Sequence, residues 1–177
     1  MKTKLFIVLV ALLFAGNVIA SGKSDNAQSI NGGATEQMTG AICDLGTGYP
    51  PVPGGKIRGL SLEYFLTAQP GPIAEFLDGF MGCVVINANL DENMSGPVWG
   101  TWEYSKGDIT WEGTWNGQFN WALGAGSWHL RGRGRGPGLQ GKSISGDTVV
   151  IGTGVDYMFA TISERKLWRR HNDDDDD

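Results

Sequence analysis

Polar and apolar residues alternate with a period of two through the centre of the chain. Over residues 98–115, one face of the alternation is apolar or glycine: Val98, Gly100, Trp102, Tyr104, Ile109, Trp111, Gly113 and Trp115. The opposite face is polar apart from one tryptophan: Trp99, Thr101, Glu103, Thr110, Glu112 and Thr114. Alternation of this kind is typical of strands that bury one face and leave the other in solvent. The pattern predicts two antiparallel strands with most of the indoles on the buried side.

A tight turn is predicted at Ser105–Asp108, between these two strands, because a glycine lies among polar residues there. If residues 106 and 107 form a two-residue loop, Trp102 lies directly opposite Trp111. Cross-strand aromatic pairs of this kind contribute about 0.2–1 kcal/mol to stability. We therefore expect a pair of indoles in the core of this hairpin.

The segment Ser127–Arg135 has the same alternation. Its apolar face holds Trp128, Leu130, Gly132 and Gly134, and its polar face holds Ser127, His129, Arg131, Arg133 and Arg135. We predict a strand antiparallel to residues 111–119, with indoles of the neighbouring strand against the glycines, where an aromatic ring shields the backbone and fixes register. On the polar face, Glu103 and Glu112 are expected within reach of the arginines.

Four further segments have strand character: residues 57–66, 83–90, 142–151 and 156–163. One helix is predicted over residues 72–81, because its apolar residues have helical spacing and a proline stands at its first position. That stripe consists of Ile73, Phe76, Leu77, Phe80 and Met81. Together these elements predict an all-β fold. We expect a closed or nearly closed antiparallel β-barrel of about eight strands with one short helix, and a β-sandwich is the alternative.

The two ends of the chain differ in composition from its centre. Residues 1–20 have two lysines, an apolar run and small residues before position 21, which is typical of a cleaved signal peptide. Residues 21–55 are predicted to be a flexible leader and connector, residues 56–165 the β-barrel domain, and residues 166–177 a charged acidic tail. The chain is therefore expected to be secreted or periplasmic, with no membrane span after signal cleavage.

The net charge of the chain argues against one class of partner. Removing Lys2 and Lys4 from the 14 basic residues leaves 12 against 19 acidic residues, a net charge of −7, of which five charges come from Asp173–Asp177. Without those five charges the domain is nearly neutral, and a nearly neutral domain is not expected to bind nucleic acid.

Cys43 and Cys83 are the two cysteines, and in an oxidising compartment they are predicted to form one disulfide. Neither has a neighbour at metal-ligand spacing, so we expect no metal site.

The segment Gly136–Ser143 matches the letters of a phosphate-binding loop, G-x-x-x-x-G-K-[ST]. Such a loop needs a buried strand before it and a helix after it, so that helix N–H groups can contact phosphate. Here arginines and glycines precede the segment and a strand pattern follows it. We interpret it as a turn between two strands, and we expect neither nucleotide binding nor any other cofactor.

Several polar-face residues remain as candidates for chemistry. Glu103 and Glu112 could form the carboxylate pair of a glycosidase, although pairing with arginine is the simpler interpretation. Trp99 breaks the polar face, and we predict it to be an exposed residue that stacks on a ligand. His129, Arg131 and Arg133 complete the set of ligand-binding candidates, and no catalytic residue is assigned.

Three glycine-rich stretches resemble the allene oxide cyclase-like barrel group, which includes dirigent-like proteins and secreted bacterial proteins. They are Gly100-Thr-Trp102, Trp111-Glu-Gly-Thr-Trp115-Asn-Gly117 and Gly132-x-Gly134-x-Gly136-x-Gly138-Leu-Gln-Gly141. The resemblance covers about residues 83–163 and implies an eight-stranded antiparallel barrel with a central cavity, often oligomeric. The catalytic positions of the cyclases cannot be placed on this sequence, so cyclase activity does not follow.

Two functional hypotheses follow. The first is a secreted barrel that, as a monomer or as a homo-oligomer, binds a small apolar or glycan-like ligand, or a protein partner, without catalysis. The second is a cyclase- or isomerase-type enzyme with a polar pocket formed by His129, Arg131, Arg133, Glu103 and Glu112. The hypotheses differ in which sheet face lines the lumen, and we favour the first, with the tryptophans inside.

Overall fold

The computed structural model describes residues 29–152 and 155–164. The predicted signal peptide, residues 1–20, and the predicted acidic tail, residues 166–177, lie outside these residues. The strands are β1 Ser29–Asp44, β2 Lys56–Ala68, β3 Met81–Asn89, β4 Ser95–Lys106, β5 Ile109–Asn120, β6 Ala125–Arg135, β7 Lys142–Ile151 and β8 Val155–Glu164. A short helix, α1, covers Ala74–Leu77. Every strand pairs antiparallel with the next, and β1 pairs with β8, so the sheet closes into a barrel. The predicted all-β barrel is confirmed.

The barrel starts earlier in the chain than predicted. Residues 29–44 were expected in a flexible leader, but they form β1, which pairs with both β2 and β8 and closes the barrel. Two of the three glycines in β1, Gly32 and Gly33, serve close packing. A Cβ at Gly32 would lie 2.4 Å from Cγ2 of Ile73, and a Cβ at Gly33 would lie 2.7 Å from Oε1 of Gln69. The prediction of a flexible leader, which rested on composition, was therefore wrong for residues 29–44, because small residues here leave room for neighbouring side chains.

The helix prediction is wrong in extent. Helix α1 has four residues, because Asp78 is extended at ψ 132° and Gly79 has a φ of +76°. Met81 begins β3 and its side chain is exposed. The rest of the apolar stripe still packs inward: Ile73, Leu77 and Phe80 are all buried.

The hairpin between β4 and β5 has a register shifted by two residues from the predicted one. Lys106 pairs with Ile109, so the loop is Gly107-Asp108, and the φ of +63° at Gly107 suits the first position of a two-residue turn. Trp102 therefore lies opposite Gly113, and the predicted indole pair with Trp111 is wrong. A shift of two residues leaves each side chain on its predicted face.

Tryptophan–glycine contacts replace the expected indole pair. A Cβ at Gly113 would lie 2.7 Å from Trp102, and a Cβ at Gly132 would lie 2.5 Å from the same indole. The ring thus covers the backbone of two neighbouring strands, β5 and β6, as the sequence pattern suggested for the indoles. Its Nε1–H donates to the carbonyl of Thr114 at 3.2 Å.

The predicted disulfide between Cys43 and Cys83 is present and joins the end of β1 to β3. The two cysteines are 40 residues apart, and closing a loop of that length stabilises the fold by about 4 kcal/mol in the chain-entropy model.

Residues 136–141 form the turn between β6 and β7, with a strand and no helix after it. Among the described residues, no helix is long and apolar enough to cross a membrane.

Candidate functional site

The barrel lumen contains a cavity of about 410 Å³. This volume is within the range of small-molecule binding sites, which is roughly 300–1,000 Å³. Eight aromatic side chains contribute to its wall: Tyr49, Tyr64, Trp102, Tyr104, Trp115, Phe119, Trp121 and Trp128. Aliphatic residues such as Leu62, Ile86 and Val98 fill the spaces between them. Trp102, Trp115 and Trp128 therefore face inward, as predicted, but they do not fill the lumen.

The two ends of the barrel differ. The cavity wall includes Tyr49 from the β1–β2 connection, Gly124 from the β5–β6 turn and Gly152 from the β7–β8 turn. These connections share one end of the barrel, because consecutive strands are antiparallel. The β2–β3 connection, which carries α1, lies at the opposite end, where Nε1 of Trp111 donates to the carbonyl of Phe76 at 2.8 Å. A ligand would therefore enter through the end that carries Tyr49.

A polar cluster interrupts the apolar wall. Glu36 on β1 pairs in register with Asp156 on β8, and both are buried, with 5% and 4% of their surface exposed. The Tyr104 hydroxyl donates to Oε1 of Glu36 at 3.1 Å, and Tyr64 also lines the cavity. Among the described residues, no side chain donates a hydrogen bond to the Asp156 carboxyl, so this acceptor is available to a ligand.

The protonation of this cluster follows from its burial. Desolvation raises the pKa of Glu36 to about 7, and the hydrogen bond from Tyr104 partly opposes the rise. Desolvation, with repulsion from Glu36 as the smaller cause, raises the pKa of Asp156 to about 8. Burial also raises the pKa of Tyr64 and of Tyr104, so both stay neutral and can donate hydrogen bonds. The carboxyl pair can therefore hold or release protons near neutral pH.

The polar residues predicted as a lumen pocket in the enzyme hypothesis lie on the outer face of the barrel instead. His129 is half-buried there, with Nδ1 2.9 Å from Oδ1 of Asp147, and its Nε2 accepts a hydrogen bond from Arg131 at 3.1 Å. Arg133 donates to Oε1 of Glu112 at 2.7 Å. The physical reason is the strand period: the alternating indoles occupy the lumen, so the arginines must face outward.

An open groove of about 890 Å³ runs over this outer face and brings together Glu103, Glu112, Arg131 and Arg133. Hydrogen bonds from Arg133, and then from Arg135, hold the pKa of Glu112 below its usual range. The predicted ion pairing of Glu112 is thus confirmed. A carboxylate held by arginines is a poor general acid, which weakens the glycosidase interpretation.

Trp99 is half-buried on the outer face rather than freely exposed. The guanidinium of Arg58 lies over its ring, 5.1 Å from the centroid. Nη1 of Arg58 donates to the carbonyls of Ile57 and Ala88, each at 2.7 Å, which fixes the guanidinium in place. One side of the indole is therefore already occupied, so Trp99 is a weaker candidate for stacking on a ligand than predicted.

Sequence reasoning missed both buried carboxyls. Glu36 lies in the segment assigned to the leader, and Asp156 is the second residue of β8. The available signal was the period of two around Glu36: Ala34 is also buried, and Met38 also lines the cavity. A carboxyl on the small and apolar face of a strand is the pattern that marks a polar group inside a barrel.

No protein-family model, no curated protein and no solved structure matches this chain. The resemblance to the allene oxide cyclase-like group therefore stays a prediction. Within residues 29–152 and 155–164, no three His, Cys, Asp or Glu side chains form a group that could hold a metal ion.

Proposed function

We propose that this protein binds a small, mainly apolar molecule in the barrel lumen and acts outside the cytoplasm. The observation that carries the proposal is the cavity of about 410 Å³ with an aromatic wall and a few convergent polar groups. Binding sites for small molecules have this composition, because apolar walls supply affinity and a few polar groups fix orientation. A protein that needed only a packed core would gain stability by filling such a cavity.

The compartment is part of the same proposal. The disulfide between Cys43 and Cys83 suits an oxidising environment, and the composition of residues 1–20 is typical of a signal peptide.

A pair of adjacent positions on β7 tests whether the lumen is the site. Val150 lines the cavity, and its neighbour Val149 is half-buried on the outer face. We expect the neutral apolar dye N-phenyl-1-naphthylamine to bind the wild type at one site, with increased fluorescence. Val150→Trp should abolish this binding by filling the lumen, and Val149→Trp should retain it.

The thermal melting of each variant shows whether it is folded. Equal dye binding by the wild type and both folded variants would contradict the proposal, because the dye would then bind outside the lumen. Failure of the wild type to bind the dye or any other apolar probe would also contradict it.

A further inference from the structure

The charge of the cavity wall restricts the ligand. Among the described residues that line the cavity, none is lysine, arginine or histidine, whereas Glu36 and Asp156 are both acidic. An anionic ligand such as a fatty acid would find no positive partner there and would meet two carboxyls in a poorly solvated site. A cationic group would find both of its usual partners, because carboxylates and the faces of aromatic rings attract cations.

The free acceptor of the cluster is Asp156. Tyr104 already donates to Glu36 at 3.1 Å, whereas no described side chain donates to the Asp156 carboxyl, which is 4% exposed and lines the cavity. A buried carboxylate without a donor is costly unless a ligand supplies one. An N–H group of a ligand would satisfy Asp156 and lie in the same space as the aromatic wall.

We propose that the lumen is a receptor for a protonated amine carried on an apolar body, with the ammonium group at Asp156 and Glu36 and the apolar body against the tryptophans. This inference rests on the proposed function, since it names the class of ligand for the same cavity. Trp115 and Trp128, whose ring centroids are 5.5 Å apart, form part of the wall on the β5–β6 side. Charge and hydrogen bonding then act on the ammonium end of the ligand, and burial against the tryptophans acts on its apolar end.

Binding of this ligand is coupled to protons. The titratable groups that face the carboxyl pair are Tyr64 from β2 and Tyr104 from β4, and the β7 residue that pairs with Asp156, Val150, is uncharged. Without ligand, burial of both groups, together with the repulsion of Asp156 by Glu36, keeps Glu36 and Asp156 partly protonated at pH 7. An ammonium group stabilises the ionised carboxylates, so its binding should release protons.

The test compares three probes of equal chain length: 1-octylamine, 1-octanol and octanoate. Isothermal titration calorimetry at pH 8 should show that the amine binds at least about tenfold more tightly than the alcohol, and that octanoate binds most weakly. Lowering the pH to 5 should remove the preference for the amine, because the carboxyl pair is then protonated, while the affinity for octanol stays the same. Titrations of the amine at pH 7 in two buffers of different ionisation enthalpy should show proton release.

Asp156→Asn keeps the shape of the side chain and removes its charge. We expect this variant to retain octanol binding and to lose the preference for octylamine. Glu103→Gln removes the same charge from the exposed outer face and should behave like the wild type. If Asp156→Asn does not fold, Glu36→Gln with the same three probes makes the same test.

The possible outcomes separate the two proposals. Octanol binding as tight as or tighter than octylamine binding at pH 8, in the folded wild type, would overturn the amine inference and leave the proposed function standing. An unchanged amine preference in Asp156→Asn and in Glu36→Gln would also overturn it. No binding of any of the three probes would contradict the proposed function itself.

Discussion

Replacing Glu36 by glutamine should stabilise the protein, and the gain should depend on pH. The folded-state pKa of Glu36 is about 7, against an ordinary value of 4.5. Between these two pH values the folded protein binds more protons than the unfolded chain, so the free energy of unfolding falls as the pH rises. A difference of this size corresponds to about 3 kcal/mol at roughly 1.4 kcal/mol per pKa unit.

Glutamine has the same shape and no charge, and its carbonyl oxygen can still accept the hydrogen bond from Tyr104. Glu36→Gln should therefore be about 3 kcal/mol more stable than the wild type at pH 8, and nearly equal to it at pH 4. Urea unfolding followed by tryptophan fluorescence, with the disulfide intact, measures both values. The mutual repulsion with Asp156 adds to the expected gain, because the glutamine also removes a cause of the raised pKa of Asp156.

Glu103→Gln is the matched control, because Glu103 is exposed on the outer face. It should change the free energy of unfolding by a similar small amount at both pH values. The reasoning would be refuted if Glu36→Gln were less stable than the wild type at pH 8. A gain of equal size at pH 4 and pH 8 would also refute it, since the effect would then not come from the carboxyl charge.

Three further substitutions test the disulfide, a tryptophan–glycine contact and an ion pair on the outer face. Cys83→Ser, which breaks the bond to Cys43, should lower the free energy of unfolding by about 4 kcal/mol, and unchanged urea unfolding would contradict the role of the cross-link. Gly132→Ala should cost about 1–3 kcal/mol, because the new methyl group would lie about 2.5 Å from both the Glu112 carbonyl oxygen and Trp102, and a neutral result would show that the strand and the indole can both move away. Arg133→Ala should cost less than about 1 kcal/mol in urea unfolding, because it breaks an ion pair on the exposed face, and a larger loss would show that this ion pair is structural.

The sequence was sufficient to predict the barrel and the faces of its central strands. The alternation around Trp102, Trp111 and Trp115 reports burial directly, because the strand period places every second side chain in the lumen. The same period does not fix which residues are opposite one another. Register in this hairpin depends on whether Gly107 is the first or the second loop residue, and a shift of two residues preserves both faces.

The first strand and the site could not be predicted in the same way. Composition describes β1 as polar and glycine-rich, and the contacts of Gly32 with Ile73 and of Gly33 with Gln69 explain two of its small residues. Glu36 and Asp156 lie on different strands, 120 residues apart in sequence. Their pairing arises only when β1 and β8 close the barrel. The period of two around Glu36 could have marked it as inward-facing, but no local pattern shows that Asp156 is its partner.

A crystal structure of the protein grown with 1-octylamine at pH 8 tests the central claim most directly. The account predicts one amine in the lumen, with its nitrogen within hydrogen-bonding distance of Asp156 and its alkyl chain against Trp115 and Trp128. It would be contradicted by a lumen that holds only water while the amine lies on the outer face of the barrel.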